Sequence, residues 1–346
     1  MTRPAYRDIA PYRGDPRPCA IDLSDNTNLW GAAPSATRVL RSAETASLAR
    51  YPEPYSETLK EALARYAGVS ASMIVTGCGS DDVLDATMRA CAEPGEAVAM
   101  VDPTFVMIPQ LARANGLAVV RVPISADADV DVDRLTGANA AITYVCSPNN
   151  PTGRSVPRDD IEAIVERARD VVIIDEAYVE FQGYSAVDLV SRNARVVVAR
   201  TMSKAFGLAG ARVGYAIANP ELIAEIEKAR GPFKVASHAA DAATAALEAD
   251  VDWVRARVGE AVDSRERVTN ALREMGLAPL ASSANFVFVP VANALRIAAS
   301  MRARDVAVRP FAGTPTFGDA LRITIGPWEL MEPALAALRE AMAECA

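Results

Sequence analysis

Between residues 73 and 201 short β-rich runs alternate with helical patterns, and that alternation constrains the fold more than any other feature of the chain. The runs MIVTG (73–77), AVAMVD (97–102), AVVRVPI (118–124), AAITYV (140–145), VVIID (171–175) and RVVVART (195–201) are of strand length. Helical spacing of apolar residues marks DDVLDATMRACA (81–92), TFVMIPQLARANG (104–116) and RDDIEAIVERARD (158–170) between them. Strands joined through helices pair in parallel, and such a sheet is covered on both faces. The expectation is an α/β chain with a mostly parallel central sheet between helices and a ligand site at the carboxyl ends of its strands.

The flanking segments read differently. Residues 1–24 are rich in Pro and Arg, lack periodicity and are expected to form an N-terminal arm. SETLKEALARY (56–66) predicts a helix with Ser56 as its cap, inside a large domain spanning 25–240. From 241 a long helical pattern runs to 275. NFVFVPV, VAVRPF, LRITIG and a last helix from Glu332 follow, predicting a smaller α+β domain over 241–346.

Charge and rare residues narrow the function. With 36 Lys+Arg against 44 Asp+Glu the net charge is -8, which argues against a general affinity for nucleic acid or anionic membrane. Apolar runs stop well short of the ~20 residues a membrane span needs, and the first residues lack a leader's apolar stretch. Five scattered cysteines without CxxC spacing suggest neither disulfides nor zinc, so a reducing cytoplasm is expected. His238 is the single histidine, which removes most hydrolase and metal schemes, and no metal is expected.

The chemistry then concentrates on a few turns. Lys204 lies in TMSKAFGLAGARVGY (201–215), an apolar, Gly-rich setting in which desolvation lowers an amine's pKa, as a Schiff-base nucleophile requires. An ordinary loop lysine is the alternative. Ser203 and, eight residues after the lysine, Arg212 can converge on one phosphate. Upstream, Gly79, Ser80 and Asp81 follow a strand and open a helix, a place that favours anions, although a plain turn reads equally well. Asp175, at the end of VVIID, can hold a protonated pyridine nitrogen, and Tyr178 a phenolate oxygen on the same ring; a helix cap is the other reading of DEAY. Asn150, in CSPNNPTG (146–153), can donate to that oxygen, or the segment is only a turn.

Taken in order, GSDD, PTF, SPNNPTG, DEAY, SKAFGLAGARVG and LRITIG span residues 79–326, and the chain resembles the fold-type I pyridoxal-phosphate aminotransferases of class I/II, within them the histidinol-phosphate aminotransferase group. The resemblance also covers RYPEPY and SSANFVFV. It implies pyridoxal 5'-phosphate as cofactor, with Lys204 as its Schiff-base lysine and proton shuttle, Asp175 on the ring nitrogen, and Tyr178 and Asn150 on the ring oxygen. Gly79, Ser80, Asp81, Ser203 and Arg212 are implied around the phosphate, and Phe105 stacked on the ring. Arg322 is implied as the fork for the substrate carboxylate. Tyr51 is implied to reach the phosphate of a neighbouring copy, and hence a homodimer with shared active sites.

Departures from the family pattern fall where a substrate side chain is read. The arm motif is Asn26-Thr27-Asn28-Leu29-Trp30-Gly31, without the usual Glu and Pro, and Asn28 is a candidate substrate contact. Ile108 stands where the group often has a tyrosine near the substrate pocket, and Lys234 where Asn is common. Tyr12, Lys234 and Arg309 are candidate partners for a phosphate-bearing substrate, each also explained by packing or ion pairing. The expected reaction takes the amino group from a donor such as L-histidinol phosphate to a keto acid such as 2-oxoglutarate. Alternatives are an aromatic or other amino donor, and a threonine-phosphate-decarboxylase-like reaction, because DLSDNTNLWG (22–31) also resembles the arm of those enzymes. A non-catalytic regulator on the same fold would need an added DNA-binding domain, for which the chain has no spare length.

Overall fold

The structure, a computed structural model, describes residues 6, 7, 9, 11, 17–43 and 48–345. After a three-residue strand β1 (Ile21–Leu23), the expected runs form β2 (Ile74–Cys78), β3 (Ala97–Asp102), β4 (Ala118–Pro123), β5 (Ile142–Cys146), β6 (Val171–Asp175) and β7 (Val196–Thr201). One strand in this sheet was not expected: β8 (Val213–Ala218) begins inside the Gly-rich motif. The sheet runs β2-β8-β7-β6-β5-β3-β4. Strand β8 is antiparallel to both neighbours, and every other pair is parallel.

Both faces are dry, which is why the strands read as unbroken apolar runs. On one face Val172, Ile174, Val196 and Val198 meet α1 (Pro34–Arg41), α2 (Glu57–Ala67) and helices from later in the chain. On the other, Val171, Ile173, Val197 and Ala199 meet α3 (Ser80–Cys91) and α4 (Ile108–Ala114). The crossovers α5 (Val132–Gly137), α6 (Arg158–Arg167) and α7 (Val187–Arg192) cover the first face, and α8 (Pro220–Arg230) the second.

Helix α2 lies where the spacing puts it, but Ser56 does not cap it. Its backbone sits at φ +57 and its side chain makes no cap bond. The Glu53 carboxylate takes that role, accepting from Thr58 N at 3.0 Å and from Thr58 Oγ1 at 2.8 Å. The helical pattern from 241 is two helices, α9 (Ser237–Ala249) and α10 (Val251–Glu274). At the break, Asp250 accepts from Ser35 N at 2.7 Å and from Ser35 Oγ at 2.9 Å, tying α1 to α9.

The second sheet contains β9 (Phe286–Pro290), β10 (Val306–Thr314) and β11 (Gly318–Thr324) in the order β1-β10-β11-β9. β1 pairs in parallel with β10, so Ile21–Leu23, inside the stretch read as an arm, belongs to this sheet. Its core joins Leu23, Val287 and Leu321 to the later part of α10, to α11 (Ala294–Ala303) and to α12 (Trp328–Cys345). That last helix starts four residues before Glu332. Among the described residues no helix is long and apolar enough to cross a membrane.

Candidate active site

The carboxyl ends of β5, β6 and β7, the turn into α3 and one arginine from β11 enclose a cavity of about 310 Å³. Ser80 and Asp81 enter it from the start of α3, and Ser203, Lys204 and Arg212 from the connection between β7 and β8. Phe105 follows β3, Asn150 follows β5, Asp175 and Tyr178 close β6, and Arg322 reaches in from the second sheet. Residues some 250 positions apart in sequence thus face one volume.

Burial pushes the Lys204 amine down from 10.5 to about 8, and the Arg322 guanidinium adds to the effect. Its Nζ donates to the Asp25 carbonyl at 3.1 Å and lies 5.7 Å from the centre of the Tyr178 ring. An amine so placed keeps a larger neutral, nucleophilic fraction near neutral pH than an exposed lysine does. The Asp175 carboxyl is pushed up to about 6 by burial, against the pull of two donors, Tyr144 Oη at 2.7 Å and Ala177 N at 3.1 Å. Tyr178 Oη accepts from Asn26 Nδ2 at 3.0 Å, and burial raises its pKa.

Close backbone approach shapes the anion end. Gly79 sits at φ +81, and a Cβ there would lie 2.3 Å from the Arg212 guanidinium. A Cβ on Gly214 would lie 2.1 Å from Ser80 N. A side chain on Gly214 would meet backbone that cannot give way, and one on Gly79 would be strained by the positive φ and would displace the Arg212 guanidinium. Arg212, itself at φ +55, donates to the Ala209 carbonyl at 3.3 Å and stands 3.7 Å from Asp81. Thr201 Oγ1 donates to Ser203 Oγ at 2.9 Å, and both residues line the cavity together with Ser80 and Asp81 at the start of α3. Hydroxyls, a guanidinium and a helix N-terminus at one end, with a buried carboxylate and an amine of lowered pKa at the other, fit a phosphorylated pyridine aldehyde.

Arg322 is 6% exposed and donates to Asn150 Oδ1 and to the Ser24 carbonyl, each at 2.6 Å. Because Asn150 spends its oxygen on Arg322, its amide nitrogen is what it has left to donate. Beyond Arg322 an outer chamber of about 550 Å³ shares Asp25, Phe105 and Asn150 with the inner cavity and adds Val106, Met107, Arg309 and Phe311. In the β10–β11 register Arg309 is the direct partner of Arg322, and it stands 3.5 Å from Asp25.

Other expected residues lie elsewhere. Asn28 is off the cavity: its Nδ2 donates to the Ala205 carbonyl and its Oδ1 accepts from Trp30 N, each at 2.9 Å, so both ends of the amide hold backbone. Asn26 occupies the place expected of it. Ile108 is fully buried in the core beneath α3 and α4, and the chamber wall is made by its neighbours Val106 and Met107. Lys234 pairs with Asp82 at 3.7 Å. Tyr51 is 84% exposed, packed on Phe233 with ring centres 4.9 Å apart, and does not line this chain's cavity. Tyr12 lies outside the described residues. Sequence reading missed Asn26, Asp25, Thr201 and Tyr144. Thr201 alone carried a signal, a hydroxyl two residues before Ser203.

A mostly parallel seven-stranded sheet with this lysine, carboxylate and anion cup at its carboxyl edge defines a fold-type I enzyme that uses pyridoxal 5'-phosphate. The family described as "Aminotransferase class I and II" matches residues 19–338, and the chain belongs to it. "Histidinol-phosphate aminotransferase 1" of Nostoc sp. is 34% identical over 92% of this chain and 91% of its own length. "Histidinol-phosphate aminotransferase" of Stenotrophomonas maltophilia is 38% identical over 98% of this chain and 95% of its own. The crystal structure of the Sinorhizobium meliloti histidinol-phosphate aminotransferase in complex with pyridoxal-5'-phosphate superposes with a TM-score of 0.90 at 29% identity, covering 100% of this chain and 98% of that one.

Proposed function

We propose that this aminotransferase takes its amino group from L-histidinol phosphate, passes it to a keto acid such as 2-oxoglutarate, and works as a cytoplasmic homodimer. The observation that carries the substrate is the pair Arg309 and Arg322, cross-strand neighbours on the wall of the outer chamber. Two guanidinium groups suit a dianionic phosphate on one substrate and carboxylates on the other, whereas an aliphatic or aromatic side chain needs only the apolar wall of Val106, Met107 and Phe311. The names of the Nostoc and Stenotrophomonas relatives point the same way.

Pyridoxal phosphate, when bound, supplies an electron sink for the substrate α-carbon. Lys204 would hold it covalently, would give way to the incoming amine and would move the α-proton. Asp175 would keep the ring nitrogen protonated, and Tyr178 with the Asn150 amide would hold the ring oxygen. Gly79, Ser80 and Asp81, largely through backbone N–H groups, join Ser203 and Arg212 on the phosphate. Phe105 stacks on the ring. Arg322 clamps the anionic end of the substrate and so fixes which α-carbon bond is activated. Tyr51 completes the phosphate site of the second copy.

An amino-donor panel with 2-oxoglutarate tests the substrate. Histidinol phosphate should lead phenylalanine, tyrosine and threonine phosphate in kcat/KM. Brisk turnover of another donor beside none on histidinol phosphate would overturn the substrate and leave the class standing. Carbon dioxide release without use of an acceptor would favour the decarboxylase alternative.

A further inference from the structure

Tyr144 sits in the middle of β5, fully buried, in a core of Val98, Met100, Ile108, Ile173 and Ala199, with the Cys146 thiol and Asp175 as the polar groups its hydroxyl meets. A buried hydroxyl in such surroundings is costly unless it is hydrogen-bonded. Its Oη donates to Asp175 Oδ2 at 2.7 Å, within the range of a charge-assisted bond. The register explains the reach: Cys146 is opposite Asp175 across β5 and β6, and Tyr144 is two residues earlier, on the same face as Cys146. Ala177 N occupies the other oxygen at 3.1 Å, so two donors fix the plane of the carboxyl group from behind while it borders the cavity.

We propose that Tyr144 is a positioning residue of this enzyme: it holds Asp175 as an oriented carboxylate and thereby keeps the proton on the cofactor's ring nitrogen. The inference rests on the reading of Asp175 as the partner of that nitrogen. Burial opposes the carboxylate and the Tyr144 hydroxyl favours it, and burial already prevails far enough to bring the group to about 6. With the hydroxyl gone, Asp175 competes for the proton instead of leaving it on the ring. Tyr144→Phe removes one oxygen and keeps the ring that fills the core, so packing is preserved.

The test uses holoenzyme loaded with pyridoxal 5'-phosphate labelled with ¹⁵N in the ring, together with the dissociation constant of the cofactor measured by equilibrium dialysis. Wild type should show the chemical shift of a protonated ring nitrogen. Y144F should move towards the unprotonated value and bind cofactor about tenfold more weakly, equivalent to about 1.4 kcal/mol. An unmoved ¹⁵N shift in Y144F, with or without weaker binding, overturns the proposal, because a merely structural tyrosine would leave the protonation state alone. An unprotonated nitrogen already in wild type would instead overturn the reading of Asp175, so the two failures are distinguishable.

Discussion

Replacing Lys204 by Met should make the cofactor-free protein more stable at neutral pH and less stable in alkali. The amine falls from 10.5 to about 8 on folding, mainly through burial. At about 1.36 kcal/mol per pH unit, that fall corresponds to roughly 3.4 kcal/mol. Because Lys204 is only partly buried by surface area, we halve the figure for solvent screening, to about 1.7 kcal/mol. Met forfeits the hydrogen bond to the Asp25 carbonyl, a loss of about 1 kcal/mol. The sign follows from proton linkage. Below about pH 8 the amine is protonated in both states, and the wild type carries the whole penalty. Between pH 8 and 10.5 the unfolded chain holds a proton that the folded chain releases, so wild-type stability climbs with pH. K204M should therefore lead by somewhat under 1 kcal/mol at pH 7 and trail by about 1 kcal/mol above pH 10.5. Urea unfolding of both apoproteins at equal concentration, followed from pH 7 to 10.5, measures the difference directly. A difference that stays constant across that range would refute the claim that burial strains this lysine.

Gly79→Ala drives a Cβ into the Arg212 guanidinium at 2.3 Å from a backbone at φ +81, so cofactor affinity should fall at least tenfold by equilibrium dialysis; unchanged affinity would remove Arg212 from the anion cup. Arg322→Lys keeps the charge but loses the fork that donates to Asn150 and the Ser24 carbonyl at 2.6 Å. Steady-state kinetics should show KM for anionic donors raised by an order of magnitude or more, and equal KM values would count against the clamp. Asp250→Ala removes both bonds to Ser35 at a buried site and should cost roughly 2–3 kcal/mol in urea unfolding, with turnover per folded site intact.

The linear sequence determined the parallel sheet and most of the residues that line the inner cavity, for the same physical reason. Strands dry on both faces must be continuous apolar runs, as VVIID and RVVVART are, and residues that face a cavity at the carboxyl ends of such strands fall just after them. Asp175, Lys204 and Phe105 were legible for that reason. Tertiary structure alone decided the rest. VGYAIA reads as a strand only once it has a place, and its insertion as β8 between β2 and β7 is a matter of pairing between segments far apart in sequence. Three-residue β1 is too short to show a period and exists because β10 offers an edge. In the irregular stretch 24–31 no periodicity says which side chain faces inward, so Asn26 and Asn28 could not be told apart until one met Tyr178 and the other met backbone. Ile108 looked like pocket lining because the resembled group often has a tyrosine there, yet the turn into α4 sends it to the core. Tyr144 looked like any aromatic in a strand. Only the register of β5 against β6 puts its hydroxyl on Asp175.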